Sequence, residues 1–316
     1  MDLNQYLNQE SEASAQGEPR MSKEAYAAMK KQEREEVWAE VDAKAQEVFK
    51  DGRSLKGFLD FMAQCTPQRT VNLLLLYSQD PKIRQVRTYE KIREEGHSLR
   101  PEERGKGYRF LAGNEYEKDG VMLQGYRIVK AYDVSQIRMK QPEPMQPKSM
   151  EELMKALLSN AEVPVLIADH LPEGVQAQYI PGKRSIYVRN GMGEVTTFHA
   201  INRELACASL DMRGGTYSRR NSAAPAFCAA YVVAQKYGVE NSAFQFDKVC
   251  QMQENGSRDP KELRDFINDV KNAAYTIEKH MDRNLGQPEQ EFIADEFYVG
   301  EGKKAKATKS KTQPER

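Results

Sequence analysis

An α+β fold is predicted: N-terminal helices with a small antiparallel sheet, then a mainly helical C-terminal half with a short sheet. Three observations predict it. Apolar residues recur at helical spacing between residues 22 and 79 and again between 195 and 281. Two runs rich in Val, Ile and Tyr, 108–134 and 177–188, lie between them around glycine-bearing turns. A proline-bearing stretch, KQPEPMQPKS at 140–149, has Met145 as its one apolar residue apart from proline and divides the two patterns.

The expected order of elements follows. Ser22 is a plausible N-cap for a helix to Lys50, with Val41, Ala45 and Val48 at helical spacing and Trp38 as its core anchor. A second helix runs from Leu55 to Cys65 and stops at Thr66-Pro67. The apolar run VNLLLLY (Val71–Tyr77), closed by Asp80-Pro81, reads as a buried helix. A short helix over Tyr89–Glu94 precedes a loop from Gly96 to Gly107. Strands Tyr108–Leu111 and Tyr126–Val134 then enclose Lys118-Asp119-Gly120, where the chain turns. Beyond the proline stretch come a helix (Met150–Leu158), a strand (Val163–Ala168), and a hairpin (Ala177–Ile180, Ser185–Val188) around Pro181-Gly182. Helices are expected at 195–210, 223–237, 242–253 and 260–281. The domain plan is a disordered leader (1–21), a first domain (22–139), the linker (140–149), a second domain (150–298) and a basic disordered tail (299–316).

Composition narrows the function. Of 316 residues, 39% are hydrophobic and 30% charged, and the formal net charge is +0, so the distribution of charge matters more than its sum. No stretch approaches the roughly 20 apolar residues of a membrane span, and Met1–Gln9 lacks the apolar core of a signal peptide. Cys65, Cys207, Cys228 and Cys250 form no CxxC pair, as expected of reduced thiols in a soluble cytoplasmic protein.

From residue 45 to 140 the net charge is about +5, after an acidic start to residue 44 of about −4. Basic and aromatic residues interleave: Arg84, Arg87, Tyr89, Lys91 and Arg93; then Arg104, Lys106, Tyr108 and Arg109; then Tyr126, Arg127, Lys130 and Tyr132. Cations that track phosphates and rings that stack on bases are what a single-stranded nucleic acid needs. A solvated sheet face whose tyrosines merely pack is the plainer alternative. Gly105-Lys106-Gly107 suits a tight loop whose backbone N–H groups approach a phosphate. Asp133, Ser135 and Gln136 either end a strand by hydrogen bonding or touch the nucleic acid.

The order Asn72-Leu-Leu-Leu, Val86-Arg-Thr-Tyr89, Gly105-Lys106-Gly107, Gly125-Tyr-Arg127 and Ala131-Tyr-Asp-Val-Ser-Gln136 resembles the N-terminal domain of ArdC-type antirestriction proteins of conjugative plasmids and transposons. The resemblance covers about residues 40–138 and implies single-stranded-DNA binding. Two features depart from the family: Tyr89 stands where tryptophan is typical, and Arg100-Pro-Glu-Glu-Arg104 is longer and partly acidic.

The segment Leu171–Val233 resembles the zincin-like metallopeptidase domain that follows in such proteins, through Leu171-Pro-Glu-Gly-Val175, the hairpin to Gly191-Met192, and the helices at Thr196–Leu210 and Ala226–Val233. In peptidase relatives the first helix carries His-Glu-x-x-His, whose histidines grip Zn²⁺ while the glutamate activates water. Here the matching positions read Arg203-Glu204-Leu205-Ala206-Cys207, and the later helix has Phe227 and its neighbours where an acidic ligand is needed. Arginine cannot ligate a metal. His199 and Cys207 are separated by about 12 Å along a helix, too far to share zinc bonds of about 2.0–2.3 Å. Glu204 is left for an ion pair, and Cys207 and Cys228 for small core positions. Arg213, Arg219 and Arg220 around Tyr217 form a basic loop, either solvated or extending a nucleic-acid surface.

The expectation is a binder of single-stranded (or double-stranded) DNA, without catalytic residues, metal or cofactor. The alternative is a protein-interaction module on a pseudo-peptidase fold. A hydrolase fits least well: there is no GxSxG and no paired-carboxylate motif.

Overall fold

A computed structural model describes residues 22–118, 121–140, 146–212 and 217–287. The expected leader and tail, the tip of the hairpin, the middle of the proline stretch and Arg213 lie outside these residues. The chain forms two units, Met1–Glu40 and Val41–Arg316.

In the first unit the helix α1 (Lys23–Val48) begins, and it ends in the second. Ser22 is its cap: the Ala25 N–H donates to Ser22 Oγ at 3.1 Å. Ion pairs one turn apart, Lys30–Glu33 (2.7 Å) and Lys31–Glu35 (3.7 Å), line its surface. Trp38 is only partly buried, and the adjacent Val37 is the enclosed side chain.

The second unit is α+β. The end of α1 supplies Val41, Ala45, Val48 and Phe49 to its core. Gly256 makes this packing possible: it holds φ +83°, and a Cβ there would stand 2.2 Å from the Gln46 carbonyl oxygen. Helix α2 (Gly52–Gln64) starts earlier than expected because Asp51 caps it, accepting the Ser54 N–H at 2.7 Å. Helix α3 (Thr70–Gln79) is the predicted buried helix, with Leu73–Leu76 enclosed.

Strand β1 (Val86–Thr88) and helix α4 (Tyr89–Glu94) follow, then β2 (Ser98–Leu99), β3 (Tyr108–Lys118), β4 (Val121–Asp133) and β5 (Ile137–Arg138). The hairpin β3–β4 is far longer than predicted, each strand running well past its expected outer end. The sheet order is β1–β4–β3, antiparallel throughout, and β2 pairs with β5. Ile92, Leu99, Tyr132 and Ile137 make a small core beneath α4, β2 and β5.

The free edge of β3 is closed by two side-chain amides of α3. Asn72, fully buried, donates to the Leu111 carbonyl (3.1 Å) and accepts the Leu111 N–H (2.9 Å). Gln79 does the same at Arg109, at 3.1 and 2.8 Å. These residues are two turns apart on the helix, so both face the strand, and its edge groups are satisfied without another strand.

The second half begins with α5 (Met150–Leu158), capped by Ser149 and Glu152, and a sheet of β6 (Val165–Ala168), β7 (Ala177–Ile180) and β8 (Ser185–Arg189). Its order is β6–β8–β7, with β6 parallel and β7 antiparallel to β8. Helices α6 (Glu194–Asp211), α7 (Arg219–Lys236), α8 (Asp247–Met252) and α9 (Pro260–Asn284) complete it. The expected helix at 242–253 begins only at Asp247, after Phe244 and Phe246 have turned into an aromatic cluster with Phe227 and Tyr231.

The residues on either side of 140–149, predicted as separate domains, share one compact unit. The Tyr231 hydroxyl of α7 donates to Asp60 of α2 at 2.5 Å, Phe266 of α9 meets Phe49 edge-on at 5.3 Å, and Asp247 accepts the Gly52 N–H at 3.3 Å. Apolar faces of α2 and α3 left uncovered by so small a sheet are buried against the C-terminal helices instead. Lys236 joins Glu278 (3.1 Å) and Asp282 (2.8 Å) in a buried network that ties α7 to α9.

Replacing Asn72 by Leu strands the edge N–H and carbonyl of Leu111. Urea unfolding of Asn72→Leu should show a loss of about 1–3 kcal/mol, whereas Gln32→Leu on the exposed face of α1 should change stability by less than about 0.5 kcal/mol.

Candidate functional site

The basic-aromatic residues predicted to bind nucleic acid fall into distinct groups. Side chains alternate along a strand, and β3 and β4 pair without interruption, with Arg109 opposite Lys130, Gly113 opposite Tyr126 and Tyr132 opposite Arg87. One face of the sheet therefore carries Arg87, Arg109, Tyr126, Lys130 and Tyr132. The other carries Tyr108 and Arg127. Tyr89 and Lys91 lie on α4, and Tyr89 is half exposed.

Several of these cations already have acidic partners. Arg127 holds both carboxylate oxygens of Glu90, at 2.6 and 2.8 Å. Arg87 lies 3.3 Å from Glu95, and Lys106 lies 3.7 Å from Glu103. Tyr108 is not a free stacking ring: its hydroxyl donates to Asp80 at 3.1 Å, and burial followed by that bond pushes its pKa up to about 12. Tyr132 belongs to the small core. Arg84 and Arg104 are exposed.

On the shared face of the hairpin a different picture holds. The Arg69 guanidinium lies over the Tyr126 ring, 4.7 Å from its centroid. Lys130 reaches the carbonyls of Gly105 (3.4 Å) and Gly107 (3.2 Å), bonds that leave its charge uncancelled. Arg69 was not singled out from the sequence, since it stands alone in TPQRT; only the fold of α3 beside β3 brings it to Tyr126.

Gly105-Lys106-Gly107 serves close packing. A Cβ on Gly107 would stand 2.8 Å from the Tyr132 ring. Asp133 and Gln136 settle on the structural alternative. Asp133 accepts the N–H groups of Arg84 (2.9 Å), Gln85 (3.0 Å) and Ser135 (2.9 Å). Gln136 accepts the Asp133 N–H at 2.9 Å and donates to Glu103 and to the Lys106 carbonyl. Together they clasp the ends of β1 and β4 to the 103–107 turn.

The centre of the second half is built around Glu204, whose side chain is 0% exposed. The Tyr179 N–H of β7 donates to Oε2 at 2.8 Å. Arg219, at the start of α7, donates from Nη1 to Oε2 and from Nη2 to Oε1, the latter at 2.7 Å. Arg203 approaches Oε1 through Nε at 3.4 Å. The bond to Glu204 raises the Arg219 pKa further, so the guanidinium is always charged. Arg219 is thus not part of a free basic loop, as one reading of the sequence had it.

The other matching positions are equally remote from metal chemistry. Burial pushes the Cys207 thiol up to about 11 and Cys65 to about 12, so both are protonated packing groups near neutral pH. Phe227 stacks on Phe244 at 4.8 Å. His199 turns away to the Glu240 carbonyl (2.7 Å) and packs against Phe244. The donor set does not fit a catalytic metal: its carboxylate is occupied by guanidinium, and its ligand positions are Arg203, Cys207 and Phe227. Among the described residues no three His, Cys, Asp or Glu converge as metal ligands would. Among them, too, no helix is long and apolar enough to cross a membrane.

Removing Arg219 leaves a buried, uncompensated carboxylate. Arg219→Ala should cost about 3 kcal/mol, at the low end for a buried pair because the arginine itself is 44% exposed. In calorimetry or urea unfolding, Glu204→Gln should recover part of that loss in the Arg219→Ala background.

No family model matches the chain, and no curated protein matches it. Two solved structures of the antirestriction ArdC protein from the R388 plasmid are similar to it. The metal-free form aligns with a TM-score of 0.48 at 11% identity, over 77% of this chain and 98% of that one. The Mn(II)-bound form aligns with a TM-score of 0.45 at 14% identity, over 70% and 91%. In structure as in the order of its sequence motifs, the chain resembles the ArdC antirestriction protein.

Proposed function

We propose that this chain is a non-catalytic, cytoplasmic single-stranded-DNA-binding protein of a mobile genetic element, acting in antirestriction or DNA transfer. The observation that carries the reading is the hairpin face where Arg69 lies on Tyr126, with Lys130 farther along the same face. A tyrosine backed by a guanidinium offers its other side to an unpaired base, and the neighbouring cations follow the phosphates. Duplex DNA has its bases stacked and offers this face only its backbone. Arg87, Lys106 and Arg127 contribute less, since a phosphate must displace an acid from each. The mobile-element setting follows from the motif order described above.

The non-catalytic part of the reading is supported by Glu204. A general base must be free to take a proton from water, whereas both oxygens of Glu204 are held by Arg219. A second reading, a protein-interaction module, is favoured by β6, an edge strand with Leu166 and Ile167 exposed.

Fluorescence anisotropy with a labelled single-stranded oligonucleotide across salt concentrations tests the proposal. Affinity should fall steeply with salt, and Lys130→Ala should reduce the log–log slope by about 0.7. Tyr126→Ala should weaken binding by about 1–3 kcal/mol, and Arg127→Ala much less. A flat salt dependence, or a duplex bound as tightly as a single strand, would contradict the reading. Ile167→Lys should leave DNA binding unchanged; loss of biological activity in that variant alone would favour the interaction module.

A further inference from the structure

We propose that Arg203 and Arg219 form a phosphate-binding site over the buried Glu204, at the centre where a zincin-like peptidase would hold its metal. This goes beyond the hairpin reading and does not depend on it. Two guanidinium groups converge on one carboxylate, so the cluster carries an unbalanced positive charge. No other carboxylate among the described residues pairs with either arginine: Asp211 instead accepts the Tyr179 hydroxyl at 2.7 Å. Glu204 is sealed beneath the arginines, while Arg203 and Arg219 keep 35% and 44% of their side chains exposed.

Donors are left over on both arginines. Arg219 spends one N–H of each Nη on Glu204, and its guanidinium also lies beside the Tyr217 hydroxyl. Arg203 makes one long bond through Nε, and neither of its Nη atoms is bonded among the described residues. Buried Glu204 fixes both guanidinium planes in advance, so little side-chain freedom remains to be lost on binding.

The ligand chemistry follows from this geometry. Two planar forks on different helices, α6 and α7, present donors from two directions. A carboxylate has two coplanar oxygens and is satisfied by one fork, as Glu204 itself is. A tetrahedral phosphate offers oxygens to both. Arg219 also opens α7, whose cap Ser218 makes no side-chain bond to the first turn, so the helix dipole adds to the attraction.

The test is thermal unfolding of the full chain titrated with inorganic phosphate, with sodium chloride and sodium acetate at matched ionic strength as comparisons. Phosphate should raise the midpoint saturably, and chloride and acetate should not. Arg203→Gln leaves the Glu204–Arg219 pair intact and should fold; its phosphate affinity should fall about tenfold, the loss of one charged hydrogen-bonding partner. Arg258→Gln, at a half-exposed arginine in the bend before α9, should titrate like the parent chain. Absence of a saturable shift, an equal shift with acetate, or an unchanged response in Arg203→Gln would overturn the proposal. If Arg203→Gln does not fold, ³¹P line broadening of phosphate by the parent chain, reversed by excess sulfate but not by chloride, would still support the site. Unbroadened lines would refute it.

Discussion

The centre of the second half depends on one buried carboxylate. Glu204 collects the N–H of Tyr179 from β7 and the guanidinium of Arg219 from α7, while standing on α6 itself. Three elements are thus referred to a single side chain. An ionised carboxylate is excluded from a protein interior unless charge and hydrogen bonds meet it there. Arg219 supplies that compensating charge.

The first part of the second unit solves a different problem, a short sheet with an open edge. Side-chain amides from α3 bond the outer strand, and the Asp133–Gln136 clasp closes the other end. Tyr126, under the Arg69 guanidinium, stands four residues before Lys130 on β4, and Lys130 lies opposite the Arg109 that Gln79 holds.

Much of this was legible in the sequence, for identifiable reasons. Helical periodicity located α2, α3, α6, α7 and α9, since each buries one apolar face or is buried throughout. Ser22 and the short helix at Tyr89–Glu94 were readable from local capping and spacing. The length of the hairpin was not, because the sequence AGNEYEK of its outer half is mostly small or polar and carries no apolar alternation to mark a strand. Nor was the partner of Glu204: Arg219 is fifteen residues away and across a turn, and only the packing of α6 on α7 selects it over Arg213 or Arg220. Arg69 was missed for the same reason. The sharing of one core across 140–149 was hidden too, since a proline-rich stretch marks where the chain is extended and not whether its two ends pack together.

The central claim is that the Glu204 carboxylate is committed to Arg219 and is not available to a metal. Calorimetric titration of the full chain with Zn²⁺ and Mn²⁺ at neutral pH, repeated on Glu204→Gln, tests it most directly. The account predicts no stoichiometric binding at this centre, and identical traces for the two proteins. One equivalent of metal bound by the parent chain and lost in Glu204→Gln would contradict it.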